Sequence, residues 1–563
     1  MFRPNVLSPL STTTDYVNGY IFTNNNLSIA LTDNGYYTLS GTGDPTYYFY
    51  LKDHQGNNRV VVSQSGSVEQ INHYYPLRCP VYIIMMKTFI YIQLALFVSS
   101  IVSCNTRGDD VVIYYHYDKN KKEAEVIAGE KKYSGDLVIP STTTLNDTVY
   151  LVTRIGKSAF DFCTDLTSVE IPGSVTYIGV RAFADCRQLT TIEIPNSVKY
   201  IAEQAFQRCK GLTSATLPNK LKSINCVTFN ECVHLASIEI PQSVTSIEDF
   251  AFGHCYYLSI VVLPDSLESI GEEAFGRCYS LTSIQIPQSV KTIGFAAFCL
   301  CVKLDSIFIP SSVTYIGNSV VECCLNLASI EVDANNTNYD SRDSCNAIIE
   351  TSTNTLISGC QNTVIPQGIT TIANDAFYYC SYLASVVIPQ SVTTIGRNAF
   401  TGCSGLTSIK VDPGNAHYDS RDDCNALIET SNNKLIVGCR NTVIPQGITH
   451  IAEDAFRDCT ELTSIEIPMG VTKIGWCSFI RCTGLTSINF PSSITTIGSS
   501  AFKDCTNITS IKVEGMTPPT IDKSTFENID KKVCVLHIPK GSKEAYRNAQ
   551  HWNEFQNVVE MVE

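Results

Sequence analysis

From about residue 155 the chain repeats itself every 23 residues, and this period restricts its fold more than any other feature. One unit has the form L-T-S-I-x-I-P-x-S-V-T-x-I-G-x-x-A-F-x-x-C-x-x. Twelve prolines and thirteen cysteines follow the step, prolines at 172, 195, 218, 241, 264, 287, 310, 366, 389, 445, 468 and 491, and cysteines at 163, 186, 209, 232, 255, 278, 301, 324, 380, 403, 459, 482 and 505. A unit this short cannot bury its own apolar face, so neighbouring units must stack. The sequence predicts a repeat solenoid.

Each unit contains three segments with distinct patterns. Residues 166–171 have the L-x-x-L-x-L spacing of a leucine-rich-repeat strand, and Pro172 ends it because proline cannot donate to a strand ladder. Residues 175–179 form a second apolar run that ends in a glycine corner. Residues 182–186 have helical spacing, which predicts a single helical turn. Stacked units should therefore form rows of short parallel strands.

The period is broken twice, and in the same way. Pro310 to Pro366 and Pro389 to Pro445 are each 56 residues apart, which is two periods and ten extra residues. Nearly identical sequences fill both gaps, Y-D-S-R-D-S-C-N-A-I-I-E-T from Tyr339 and Y-D-S-R-D-D-C-N-A-L-I-E-T from Tyr418. Each continues through a polar turn into a Gly-Cys pair. This pattern predicts two inserted hairpins, near residues 333–365 and 412–444.

The cysteines of each predicted hairpin lie at equal distances from its turn. Cys345 could face Cys360, and Cys424 could face Cys439, so each pair is either a disulfide or two free thiols. An exported protein permits the disulfide. The thirteen in-phase cysteines fit a different role, as small buried apolar side chains in every coil. Zinc sites need clustered ligands such as C-x-x-C, and the sequence has none, so no metal or cofactor is predicted.

The ends of the chain divide into further segments. Residues 104–154 are predicted to be an N-terminal cap with an irregular first repeat, residues 155–513 the solenoid, and residues 514–563 a C-terminal cap. Residues 86–103 have the basic start, apolar stretch and small residues of a signal peptide, and an ordinary transmembrane helix is the alternative. The signal ends in I-V-S-C, which resembles a bacterial lipobox and so implies lipid attachment at Cys104.

Two resemblances follow from these motifs. Residues 47–76 resemble the end of an RHS-repeat-associated core, so residues 1–85 are predicted to be a fragment outside the working protein. The unit I-P-x-S-V-T-x-I-G-x-x-A-F-x-x-C, the S-R-D-x-C-N-A insert and P-K-G-S-K-E-A-Y near the C-terminus resemble the BspA-like, treponemal-type leucine-rich-repeat family. That resemblance implies a surface protein binding host matrix and plasma proteins such as fibronectin and fibrinogen, or mediating contact between bacteria.

The outward-facing strand positions give the candidate binding face. Alternate residues of a strand point to opposite faces, so the strand positions that face away from the core should line one open surface. The candidates are Glu170, Glu193, Glu239, Val262, Gln285, Phe308 and Glu331. The surface is either an extended ligand platform, with Phe308 as an anchor, or an ordinary solvated face.

Composition and motifs restrict the function. A formal net charge of −14 argues against a protein that coats nucleic acid or anionic lipid. The nine histidines form no H-E-x-x-H, and the sequence has no P-loop or G-x-S-x-G, so no enzyme is predicted. We expect a monomeric, surface-exposed lipoprotein of a bacterial outer membrane that binds host matrix or cell-surface proteins as an adhesin. The alternatives are a scaffolding envelope lipoprotein and a glycan-binding surface lipoprotein.

Overall fold

The computed structural model describes residues 112–562 and, before them, the backbone of eight strands. The chain has two compact units, Met1–Ser100 and Ile101–Glu563. The first contains an antiparallel seven-stranded meander formed by Thr14–Val17, Tyr20–Thr23, Asn26–Thr32, Gly35–Thr38, Thr46–Lys52, Asn58–Ser63 and Val68–Ile71. The predicted signal peptide lies outside the described residues except for the start of strand Val102–Asn105. Within the described residues, no helix has the length and apolar character needed to span a membrane.

The second unit is a parallel-strand β-solenoid of about 18 turns of about 23 residues, which confirms the predicted fold class. Most coils contribute a strand to each of two rows. The first strand row consists of Gly135–Val138, Leu166–Glu170, Thr191–Glu193, Ser214–Thr216, Ser237–Glu239, Ile260–Val262, Ser306–Ile309, Ser329–Val332, Ser385–Ile388, Ser408–Val411, Ser487–Phe490, Ser510–Val513, Val535–Ile538 and Asn557–Glu560. The second strand row consists of Thr148–Ile155, Tyr177–Ile178, Tyr200–Ile201, Ser223–Ile224, Ser246–Ile247, Ser269–Ile270, Thr292–Ile293, Tyr315–Ile316, Thr371–Ile372, Thr394–Ile395, His450–Ile451, Lys473–Ile474 and Thr496–Ile497.

The segment between the second row and the next first-row strand is not helical, so the predicted helical turn is wrong. Arg181 and Asp185 have φ of 56° and 58°, and non-glycine residues at the equivalent positions of most other coils are also left-handed. Alternate N–H groups bond within the coil, as Ala182 N does to Gly179 O at 3.1 Å. The others donate to the next coil, as Asp185 N does to Gln207 O at 2.7 Å. The segment is thus a series of turns bonded across coils.

The core consists of identical side chains stacked from coil to coil. The rings of Phe183 and Phe206 are parallel to within 2°, with centroids 5.3 Å apart, and both side chains are fully buried. The in-phase cysteines lie beside this stack, and each thiol from Cys186 onward in an uninterrupted run donates to a phenylalanine carbonyl of the preceding coil. Cys186 Sγ, for example, is 3.2 Å from Phe160 O. The thiols therefore fill space, as predicted, and also hold neighbouring coils together.

Both predicted hairpins are present, each as three short strands and a 3-10 turn. The first contains Tyr339–Asp340, Arg342–Ser344, Ala347–Glu350 and Thr355–Gly359, and the second Tyr418–Asp419, Arg421–Asp423, Ala426–Glu429 and Lys434–Gly438. The last strand of each pairs in parallel with the second strand row of the following coil. Each hairpin therefore lies between two coils and interrupts the rows.

Side chains of the inserts replace the backbone partners that the interruption removes. Ile316 N donates to Tyr339 Oη at 2.9 Å, and Ile395 N donates to Tyr418 Oη at 3.0 Å. Asn336 Nδ2 donates to two carbonyls of the preceding coil at 2.8 and 3.0 Å. A buried N–H without an acceptor is costly, which explains why both inserts carry the same tyrosine.

The two ends of the solenoid are closed by different elements. At the start, the antiparallel strands Val112–Asp118 and Glu123–Ile127 extend the second row, and Thr142–Leu145 pairs with Thr148–Ile155. At the other end, the helix Lys543–Asn548 and the 3-10 turn Trp552–Glu554 follow the last rows. Trp552 is buried there, and its Nε1 donates to Pro519 O at 2.8 Å.

Tyr339→Phe should destabilise the coils before the first hairpin by about 1–3 kcal/mol, because Ile316 N–H loses its acceptor in a buried setting. Chemical denaturation and amide hydrogen exchange at Ile316 measure the effect. Tyr315→Phe is the matched control, since the Tyr315 side chain is 56% exposed. Equal stability of the two variants would contradict the capping role of Tyr339.

The buried thiols should make the solenoid sensitive to alkali. Burial raises the pKa of both Cys459 and Cys505 to about 12, whereas a thiol in an unfolded chain has a pKa of about 8.5. Unfolded chains therefore lose these protons first as the pH rises. The contribution of each thiol is unchanged below about pH 8.5 and falls by about 1.4 kcal/mol per pH unit between the two pKa values.

Urea denaturation at pH 7.5, 9 and 10.5 tests this dependence. The double variant Cys459→Ala, Cys505→Ala should show a shallower loss of stability with pH, by about 2.8 kcal/mol per unit if both thiols unfold together. An unchanged slope would mean that other groups cause the alkaline loss.

Candidate functional site

The first strand row presents one continuous exposed surface along the solenoid. Parallel pairing aligns Glu193 with Thr216, Glu239 with Val262 and Phe308 with Glu331. We call this surface the platform. Its exposed members are Glu170, Glu193, Thr216, Glu239, Val262, Gln285, Phe308, Glu331, Val387, Lys410 and Glu466, and Asn489 and Lys512 continue it half-buried. The structure thus brings all seven candidate residues onto one face.

Two platform residues went unrecognised in the sequence. Val364 and Val443 lie two residues before in-phase prolines and are 70% and 72% exposed. They follow the hairpins, where the period shifts by ten residues, but their offset from Pro366 and Pro445 would have identified them. With Val387, they give the middle of the platform an apolar character.

One coil of the platform is unusually apolar. Tyr257, Ile260 and Val262 are 58%, 60% and 52% exposed, and we call these three residues the apolar patch. The preceding coil has Ser237 and Glu239 at the positions of Ile260 and Val262. Large exposed apolar side chains grouped in this way are characteristic of interaction sites. Of these three residues, only Val262 was predicted from the strand pattern to be exposed on this face.

Stacked aromatic rings lie in the coil of the apolar patch and in the coils next to it. The rings of His234 and Tyr257 are stacked with centroids 5.4 Å apart, and those of Tyr256 and Tyr279 with centroids 4.9 Å apart. Stacking restricts these side chains, so a partner that binds them loses less conformational freedom. Phe308, which is 38% exposed, lies on the platform two coils farther along.

Carboxylates flank the apolar patch on the platform. Glu193 and Glu239 precede it and Glu331 follows it, and none of the three forms an ion pair with another described residue. Uncompensated charges at the rim of an apolar surface favour partners of opposite charge and speed their association. The arrangement can thus bind a partner non-covalently.

A family model provides the decisive comparison. The BspA type leucine rich repeat region matches residues 141–235, 222–343, 348–421 and 435–553, which together span well over half of the chain. The chain belongs to the BspA-type leucine-rich-repeat family. Members are typically displayed at the cell surface, and leucine-rich-repeat proteins typically bind partners without catalysing a reaction.

Solved structures of bacterial repeat proteins are similar to this BspA-type chain. A leucine rich cell surface protein from Faecalibacterium prausnitzii is 29% identical, with 76% of this chain and 98% of that chain covered and a TM-score of 0.49. A leucine-rich repeat protein from Bacteroides ovatus is 27% identical, with 81% and 100% covered and a TM-score of 0.43. The search of curated proteins gives no match.

At its C-terminal end the BspA-type platform forms an open groove of about 480 Å³. Its lining residues include Glu466, Lys512 and His537. Lys512 Nζ pairs with Glu514 Oε1 at 2.9 Å, and this hydrogen bond holds the pKa of Glu514 below its ordinary value. The lysine charge is therefore partly neutralised, and this end of the platform differs from the acidic N-terminal half.

The remaining predicted site residues of this BspA-type chain are Cys104 and the four hairpin cysteines. Cys104 lies in strand Val102–Asn105, opposite Ile113, and its lipidation stays a prediction. The four hairpin cysteines are free thiols, so neither possible disulfide is formed in the structure, and their oxidation stays a prediction. Cys360 Sγ donates instead to Asn346 O at 3.4 Å.

Within the described part of the BspA-type chain, no three His, Cys, Asp or Glu side chains are grouped so that they could hold a metal ion. In the first hairpin, the carboxylate of Asp340 is already paired with Arg342 of the same hairpin. Arg342 Nη2 is 2.6 Å from one oxygen of Asp340, and Nε is 2.8 Å from the other.

Proposed function

We propose that the chain is a non-enzymatic surface binding protein whose platform recognises other proteins, with the apolar patch as its centre. The observation that carries this proposal is the grouping of Tyr257, Ile260 and Val262, each more than half exposed, in one coil. Exposing such side chains to water is unfavourable, and a partner that covers them gains about 25 cal/mol per Å² of apolar area. Binding energy at interfaces is concentrated in a few such side chains.

The charges around the patch define the partner further. With Glu193 and Glu239 on one side and Glu331 on the other, the platform is complementary to an apolar protein segment flanked by lysine or arginine. The net charge of −14 supports the same preference and disfavours nucleic acid.

We further propose that the protein acts as an adhesin towards host extracellular-matrix or cell-surface proteins. Membership of the BspA-type family supports surface display and partner binding. In this proposal the protein is monomeric and held at the outer membrane through a lipid on Cys104, which is its sole contact with the membrane. The lipobox-like text I-V-S-C supports the anchor.

A triple variant tests the platform. The apolar patch is replaced by Tyr257→Ser, Ile260→Ser and Val262→Glu. The last two changes introduce the Ser and Glu that the preceding coil has at the aligned positions. Affinity for immobilised fibronectin or fibrinogen, measured by surface plasmon resonance, should fall at least tenfold, which corresponds to about 1.4 kcal/mol. The melting temperature should change little, because the replaced side chains are exposed and the preceding coil folds with Ser237 and Glu239 at two of the three positions.

The matched control removes two exposed tyrosines from the second strand row. Tyr200 and Tyr315 are 44% and 56% exposed, so Tyr200→Ser with Tyr315→Ser changes a similar kind of surface away from the platform. Binding should survive in this control. Equal affinity of the triple variant and the unaltered protein would exclude the apolar patch as the binding site.

A further inference from the structure

A run of three basic side chains lies on the second strand row, away from the platform. The register aligns Lys434 with His450 and His450 with Lys473 on three successive parallel strands. Neighbouring strands are about 4.8 Å apart, so the three side chains project from the surface side by side. Together with Asn432, Ile451, Glu453 and Gly475 they line a pocket of about 200 Å³.

The corresponding positions elsewhere in this row are not basic after the first coil. They carry hydroxyl groups in the other aligned coils, at Tyr177, Tyr200, Ser223, Ser246, Ser269, Thr292, Tyr315, Thr355, Thr371, Thr394 and Thr496. Three consecutive basic residues within a row of hydroxyls are therefore a local feature of the second hairpin and the two coils after it.

The chain contains an uncharged copy of these aligned positions. The first hairpin and the coils after it have a closely similar sequence at an offset of 79 residues, and their strands pair in the same way. Thr355, Thr371 and Thr394 stand there in place of Lys434, His450 and Lys473, and Asn374 replaces Glu453. Backbone geometry therefore does not require the basic residues.

Internal contacts leave the pocket with an excess of positive charge. Lys434 Nζ pairs with Glu453 Oε2 at 2.8 Å. Burial, the largest single influence, acts to raise the pKa of Glu453, but the hydrogen bond from Lys434, a backbone hydrogen bond and the charges of Lys434 and Lys473 together keep the pKa below its ordinary value. Glu453 is thus ionised and balances one lysine. Among the described residues, Lys473 forms no ion pair within 4 Å, although its charge also acts on Glu453. Two lysines thus share one carboxylate, which leaves the pocket with a net positive charge.

The histidine also has a free ring nitrogen. His450 Nδ1 is 2.9 Å from Thr449 Oγ1, and Nε2 forms no hydrogen bond within the described residues. Lys434, the free nitrogen of His450 and Lys473 thus give the pocket a row of nitrogens. The two ammonium groups can donate several hydrogen bonds to one oxyanion, and His450 Nε2 adds another when it carries a proton.

We propose that this pocket binds an oxyanion, namely a sulfate or phosphate group, either as the free ion or as the ester of a saccharide. The row of nitrogens matches a group with several charged oxygens, and the volume of the pocket admits such a group with part of a sugar ring. The proposal is independent of the platform, since the pocket lies on the other strand row.

Exchanging the two copies tests the proposal. Lys434→Thr, His450→Thr, Glu453→Asn and Lys473→Thr give the pocket the side chains of the first hairpin, a combination that the chain already folds. Isothermal titration of the whole protein with a heparin octasaccharide in 50 mM NaCl, with inorganic sulfate and phosphate as competitors, measures binding. We expect the exchange to weaken octasaccharide binding at least tenfold.

The reverse exchange provides a gain of function. Thr355→Lys, Thr371→His, Asn374→Glu and Thr394→Lys should create a second site and raise the stoichiometry from one to two. Competition by millimolar inorganic sulfate or phosphate would identify the free ion as sufficient, and its absence would identify the saccharide ester. The proposal is overturned if the unaltered protein binds none of the three probes, or if neither exchange changes affinity or stoichiometry.

Discussion

The hydrogen bonds between consecutive coils at the turn segments are the interaction on which the solenoid depends. Arg181 and Asp185 adopt left-handed backbone conformations, which are unfavourable for residues with a side chain. Their N–H groups donate to Glu203 and Gln207 of the next coil. A coil without a neighbour would keep the conformational cost and lose these bonds. Each coil is therefore stable only as part of the stack, as expected for a one-dimensional repeat protein.

The hairpins show what happens when this neighbour is displaced. They separate the buried residues into three clusters, with boundaries near the first and second inserts. Gly359 and Gly438 allow the next phenylalanine, Phe377 or Phe456, to pack against the hairpin strand, where a Cβ atom would collide with the ring. The nearly identical sequences of the two inserts thus reflect the same packing requirement at both positions.

Much of this architecture could be predicted because the determining residues lie within one unit. The spacing of Leu166, Val169 and Ile171 gave the strand, its buried face and the exposed position of Glu170. The turn segment was wrongly predicted as helical, because the spacing of Ala182, Phe183 and Cys186 is compatible with both a helix and bonded turns. Only contacts with the next coil distinguish the two.

The candidate sites were less accessible from the sequence. Ile260 and Tyr257 occupy positions that are polar or variable in other units. The repeat pattern is defined by the residues that the units share, so it does not identify residues that differ from it. Lys434, His450 and Lys473 are far apart in the chain and meet only through strand register. Comparing the two inserts position by position, at their offset of 79 residues, would have revealed the exchange of threonines for basic residues.

The division of the core by the hairpins has a mechanical consequence. In the proposed function, one end of the chain is anchored and the platform holds a partner, so flow acting on the cell would put the solenoid under tension. Coils within a cluster share continuous phenylalanine stacks, whereas the stacks end at each insert. Rupture under tension would therefore stop at the inserts and lengthen the tether in steps, each releasing one cluster while the others continue to hold.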